Sequence, residues 1–203
     1  MTTTFYLVRH GLTSHTGHRL TGWMEGVHLT EAGQKQAEAA ADRLAKVPLK
    51  AIYSSPIDRT VETAEFIARR HNLRVRKRKG IGEVHYGKWT NRPFKSLVNT
   101  KLWRVVQHYP SGARFPDGET LLETQARALA DIEKLRTAHP KDKICCTSHA
   151  DVIKLITAHY LGMHIDLFQR IDISPGSITV LSIGDYGPRV HAVNIVPLPE
   201  EGR

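Results

Sequence analysis

Three short apolar runs in this chain stop abruptly at polar or charged residues, and each leads into a helical segment, at once or after a loop. Phe5-Tyr6-Leu7-Val8 runs into Arg9-His10-Gly11. Leu49 to Ser54 (LKAIYS) runs into Ser55-Pro56, with Arg59 close behind. Lys143 to Thr147 (KICCT) runs into Ser148-His149-Ala150. Short apolar runs bounded this way read as buried strands. Strands alternating with helices predict an α/β fold, a three-layer αβα sandwich with a mostly parallel sheet and helices on both faces. Ligands of such sheets bind beyond the carboxyl ends of the strands. Neighbouring strands lie about 4.8 Å apart, so Arg9, His10, Arg59 and His149 are expected to converge on one small volume.

The helices are read from composition and caps. Thr30 to Val47 is rich in Ala, Glu, Lys and Gln, opens on Thr30 and stops at Pro48. A second helix is expected from Pro56 to about Arg70, with Ser55 as its N-cap. Thr120 with Glu123 has capping-box spacing and starts a helix to about His139, its apolar positions being Leu122, Leu129, Ile132 and Leu135. Asp151 to Leu161 reads as a helix ended by Gly162. Val75 belongs to a short basic strand, and Ser177–Ser182 and Val190–Ile195 to closing strands. Residues 84–118 hold several Gly and Pro and a helical patch between Pro93 and Tyr109. They are expected to be a lid or specificity insertion in a single domain spanning 1–203.

A chain of 203 residues buries a core without staples. No apolar run approaches the roughly 18 residues of a membrane span, and MTTT has no basic segment of a signal peptide, so the expectation is a cytoplasmic protein. Cys145 and Cys146 are adjacent, point to opposite faces of a strand and read as buried small hydrophobes. The net charge of +9 lies partly in RRHNLRVRKRK, residues 69–79. That run is read as a solvated helix end and edge strand or as a field that draws in a small anion. No aromatic residue interleaves it, so no nucleic-acid partner is expected. His15, His18 and His28 have no Cys or paired carboxylate at ligand spacing, so no metal is expected.

Two arginines are permanent charges with planar donor forks, and helix N-termini add backbone N–H groups. Their target is a compact dianion, with phosphate the obvious choice. One histidine can attack phosphorus while the other stabilises charge. Glu83, in a loop beside the basic run, can protonate the leaving alcohol.

The residues Leu7-Val8-Arg9-His10-Gly11 with Thr13 resemble the RHG motif of the histidine phosphatase superfamily, the phosphoglycerate-mutase-like fold. The resemblance continues in order through Leu20-Thr21-Gly22-Trp23, Leu29 to Gly33, Tyr53 to Pro56 with Arg59-Thr60, Glu83 with Tyr86-Gly87, Phe115 to Thr120, and Ser148-His149-Ala150. It implies that His10 is the phosphorylated nucleophile, that Arg9, Arg59 and His149 form the phosphate pocket, and that Glu83 is the proton donor. Thr16, Arg19, Thr21 and Gly22 would lie over the phosphate, and Tyr86 and Ala150 would complete the substrate site. It implies no cofactor and no metal. Leu12 stands where many members have Glu or Gln, and Thr16 where Asn is common. His85-Tyr86-Gly87 is similar to the mutase branch, Lys88-Trp89 to the phosphatase branch.

The expected activity is a metal-independent phosphatase acting on a small phosphorylated metabolite through phosphohistidine. The alternative is a phosphomutase using the same five residues, with the difference placed in residues 84–118 and the tail. A binding module for phosphate ligands or nucleic acid, its catalytic residues idle, is the third reading. No membrane partner is expected, and a homodimer is compatible.

Overall fold

The computed structural model describes residues 1–197; the end of the tail, 198–203, lies outside the described residues. Six strands form one sheet: β1 (Thr3–Arg9), β2 (Leu49–Ser54), β3 (Val75–Lys77), β4 (Lys143–Ser148), β5 (Ile178–Gly184) and β6 (Gly187–Ile195). Their order is β3-β2-β4-β1-β5-β6. The first four run parallel, and β5 pairs antiparallel with both β1 and β6. The sheet is therefore mixed, mostly parallel where the first three expected strands lie. β6 follows β5 through a tight Asp185-Tyr186 turn, which an antiparallel pair permits.

Among the described residues there are five α-helices: α1 (Glu31–Leu44), α2 (Asp58–His71), α3 (Lys101–His108), α4 (Leu121–Ala138) and α5 (Ala150–Tyr160). One face carries α1 and α2, whose Ala40, Ala41, Leu44, Ala64 and Ile67 pack on Val8, Ile52 and Cys145. The other carries α4 and α5, packed on Phe5, Leu7, Tyr53 and Cys146. The two cysteines do face opposite layers, and burial pushes both thiols up out of reach of neutral pH. No described helix is long and apolar enough to cross a membrane.

Two local expectations change. Helix α2 starts at Asp58, with Ile57 rather than Ser55 at the cap position. Ser55 Oγ instead meets His149 Nε2 at 2.8 Å. In α4 the capping box of Thr120 and Glu123 forms as expected, but Leu122 is exposed and Leu121 turns inward. The inward stripe is Leu121, Thr124, Ala128, Ile132 and Leu135, which is the stripe that starts one residue earlier.

The basic run is mostly exposed, on the end of α2 and the edge strand β3, and part of it makes contacts within the molecule. Arg70 pairs with Asp42 and Glu38, Arg78 with Asp131, and Arg69 lies over the Phe66 ring.

Candidate active site

The registers align three strand ends. Arg9 on β1 stands beside Ser148 on β4, and Thr147 stands beside Ser54 on β2. The His10 N–H donates to the Ser148 carbonyl at 3.1 Å, fixing the residue just past the end of β1. Gly11 is required there by space. A Cβ at Gly11 would lie 2.2 Å from the Gly33 carbonyl oxygen, and one at Gly33 would lie 2.1 Å from the Leu12 carbonyl oxygen. Two glycines thus let the loop after β1 pass directly against the first turn of α1, which Thr30 caps by accepting from the Gly33 N–H.

The side chains then lock together. A carbonyl only accepts, so the 2.8 Å contact of His10 Nδ1 with the Gly11 oxygen puts the proton on Nδ1. That leaves a lone pair on Nε2, which accepts from Arg59 Nε at 3.2 Å. Arg59 Nη2 donates to the Gly22 carbonyl at 2.8 Å and to His149 Nδ1 at 3.2 Å. His149 Nε2 is then the donor to Ser55 Oγ. The two imidazole rings sit edge to face, 5.3 Å apart. His10, Arg59, His149 and Glu83 are all buried, Arg59 to 1% exposure.

Burial and the charges of Arg59 and Arg9 hold His10 well below the usual histidine range. Burial, Arg59 and His10 do the same to His149. Both rings are neutral at pH 7. Glu83 moves the other way. Burial and the nearby Asp151 charge push its carboxyl up to about 7, against the pull of Arg59 and Arg9. Its Oε2 lies 3.5 Å from His149 Nδ1 and 3.9 Å from Arg59 Nη2, while Oε1 accepts from the Val84 N–H at 3.0 Å.

His10, Arg59 and Glu83 border a cavity of about 310 Å³. Buried Arg59 Nη1 and Arg9 Nε have no hydrogen-bond partner among the described residues, and both arginines line the cavity. Arg9 is steadied by donation from Nη1 to the Ile173 carbonyl at 2.6 Å. Thr16, Arg19, Thr21, Tyr86 and Ala150 also line it. Gly22 and His149 do not. Gly22 contributes its carbonyl to Arg59, and His149 stands behind Arg59 with no exposed surface. Arg19 donates to the Asn91 carbonyl at 2.8 Å.

Several residues of the site are not apparent from sequence. Asp151, in the first turn of α5, lines the cavity and accepts from the Tyr86 hydroxyl at 3.0 Å. A signal for it exists: it is the next residue but one after His149 at a strand exit. Arg127, on α4, donates to the Gly80 and Gly82 carbonyls at 2.8 Å and to the Glu83 carbonyl at 2.7 Å, and pairs with Glu119. It anchors the loop that carries Glu83, and nothing in its own sequence surroundings marks it. From the 84–118 segment, Trp89, Phe94, Trp103, Gln107 and Phe115 reach the cavity. Among the described residues no three His, Cys, Asp or Glu side chains group as a metal site.

The chain resembles known proteins in both sequence and fold. The sequence pattern of the histidine phosphatase superfamily (branch 1) matches residues 5–196. The chain is 28% identical over 169 residues to phosphoserine phosphatase 1 of Hydrogenobacter thermophilus, covering 82% of this chain and 80% of that protein. It is 29% identical over 176 residues to the probable phosphoglycerate mutase GpmB of Yersinia pestis, covering 86% and 82%. The solved structure of YhfR from Bacillus stearothermophilus superposes with a TM-score of 0.88 at 25% identity, over 94% of this chain and 96% of that one.

Proposed function

Because this chain belongs to the histidine phosphatase superfamily (branch 1), we propose that it is a metal-independent phosphatase that hydrolyses a small phosphomonoester through a phosphohistidine at His10. The carrying observation is the hydrogen bond from His10 Nδ1 to the Gly11 carbonyl. It leaves Nε2 as a neutral, oriented base at the cavity wall, beside Arg59 Nη1 and Arg9 Nε, which have no partner among the described residues.

The chemistry rests on that placement. The phosphoryl oxygens take the free N–H groups of Arg9 and Arg59, and His149 fixes the Arg59 fork from behind. Arg59 Nε leaves the His10 lone pair for a phosphoryl oxygen, and Nε2 attacks phosphorus. The bond from phosphorus to the leaving oxygen breaks as protonated Glu83 gives that oxygen its proton. A carboxyl held near 7 is substantially protonated at neutral pH, and a bound phosphate dianion holds the proton more tightly. Water then attacks the phosphohistidine, Glu83 takes its proton, and inorganic phosphate leaves. The arginines supply the positive charge throughout.

Residues 84–118 act as the specificity segment over this pocket, and Thr16, Arg19, Thr21, Tyr86 and Ala150 frame the substrate. Two unpaired, buried thiols fit the cytoplasm as the setting. The test is hydrolysis of an aryl phosphate in EDTA by the wild type and by His10→Ala: activity in the first and none in the second supports the reading. The likeness to the Yersinia protein favours a phosphomutase with the same five residues. Interconversion of phosphoglycerates without net phosphate release would establish that reading instead.

A further inference from the structure

Beyond the phosphate cradle the cavity has a distinctive wall. The Tyr86 and Phe115 rings meet edge to face at 5.0 Å, Phe115 meets Trp89 at 5.5 Å, and Trp89 stacks on Trp103 at 6.4 Å. At one end of this aromatic chain the Tyr86 hydroxyl donates to Asp151 Oδ2. Asp151 lines the same cavity as the rings and as Glu83. Its other carboxylate oxygen makes no hydrogen bond among the described residues, and its charge reaches Glu83 and Arg9. A carboxylate beside aromatic faces attracts a cation or a hydrogen-bond donor and repels a second acid.

Resting on the phosphatase reading, we propose that the leaving group of the substrate is a flat, apolar body bearing an ammonium or hydroxyl group that Asp151 accepts, and carries no second acidic group. Trp89 and Trp103 hold the flat body while Asp151 reads the charge. Asp151 is thus a specificity-determining residue, and a phosphorylated carboxylic acid is a disfavoured substrate.

Three matched probes test this: the phenolic phosphates of tyramine, tyrosol and hydroxyphenylpropionate. They share a phenolic leaving oxygen and differ in a terminal ammonium, hydroxyl or carboxylate. The wild type should turn over the tyramine ester with kcat/KM at least about tenfold above the carboxylate ester. Asp151→Asn should bring that ratio close to one, whatever it does to the absolute rate. Trp103→Ala should raise KM for all three and keep the ratio. A purely structural Asp151, tied only to Tyr86, would leave the ratio unmoved. Calorimetric binding of the three esters to His10→Ala should give the same order without turnover. The inference is overturned by a carboxylate ester that reacts or binds as well as the tyramine ester, by an unchanged ratio in Asp151→Asn, by an unchanged KM in Trp103→Ala, or by no binding of any probe. Binding in the predicted order with no hydrolysis would count against the phosphatase reading alone.

Discussion

Replacing Glu83 with Gln should make the protein increasingly more stable than the wild type as the pH rises, while removing the proposed acid catalyst. In the folded state the carboxyl is pushed from its ordinary 4.5 up to about 7, first by burial and then by the charge of Asp151. A group whose folded pKa is raised favours the fold fully below its unfolded value and loses that advantage as the pH climbs through the folded one. A rise from 4.5 to about 7, at about 1.4 kcal/mol for each pH unit, comes to roughly 3 kcal/mol. Glutamine has no such dependence and keeps the size and the oxygen that accepts from Val84. For a chain of this length each kcal/mol shifts Tm by about 2–4 °C, so the full effect is roughly 6–12 °C. The assay is thermal unfolding of wild type and Glu83→Gln from pH 4 to 9. The two Tm curves should meet near pH 4, separate between about 4.5 and 7 with the variant above, and run parallel beyond. Curves that stay parallel over the whole range, or a wild type that gains on the variant with rising pH, would refute the assignment of Glu83 as a buried carboxyl protonated at neutral pH.

The same geometry predicts other outcomes. Hydrolysis that depends on the Glu83 proton should fall about tenfold per pH unit in the alkaline range, a limb that a pH-rate profile with an alkyl phosphate will show and that Glu83→Gln should lack. Arg59→Ala removes the partner of His10, His149 and Gly22 at once; kcat/KM should drop by at least about a thousandfold in steady-state assays. Gly11→Ala puts a Cβ 2.2 Å from the Gly33 oxygen, and denaturant unfolding should show a loss of at least about 2 kcal/mol. Arg127→Met releases the loop carrying Glu83, and should lower kcat for alkyl phosphates more than for aryl phosphates whose leaving groups need no proton.

The features legible in the sequence are those set by local rules. The ends of β1, β2 and β4 are marked by apolar runs that stop at polar residues, and a parallel sheet then brings Arg9, His10, Arg59 and His149 together without further information. The capping box at Thr120 and the opposed faces of Cys145 and Cys146 are equally local. Ser55 departs from expectation because its cap-like position before Pro56 says nothing of a histidine 94 residues away that claims its hydroxyl. Leu122 departs because two adjacent leucines start two possible stripes, and only the tertiary packing of Leu121 chooses between them. Residues 84–118 carry little signal. They hold short 3₁₀ turns at Gly87–Trp89, Phe94–Ser96 and Pro110–Gly112 around one helix, α3, and their order comes from aromatic packing against the cavity rather than from a periodic pattern. Asp151 and Arg127 act through partners distant in sequence, Tyr86 and the 80–83 loop, which spacing alone does not disclose.

The central claim is that phosphorus is transferred to His10. Rapid acid-free quenching of the wild type with an aryl phosphate in EDTA, and then mass spectrometry of the alkaline digest, measures it directly. One phosphoryl group on the peptide bearing His10, stable to base and labile to acid, is the predicted result, and it disappears in His10→Ala. Turnover that proceeds with no phosphorylated histidine, or with the phosphoryl group on another residue, would contradict the account.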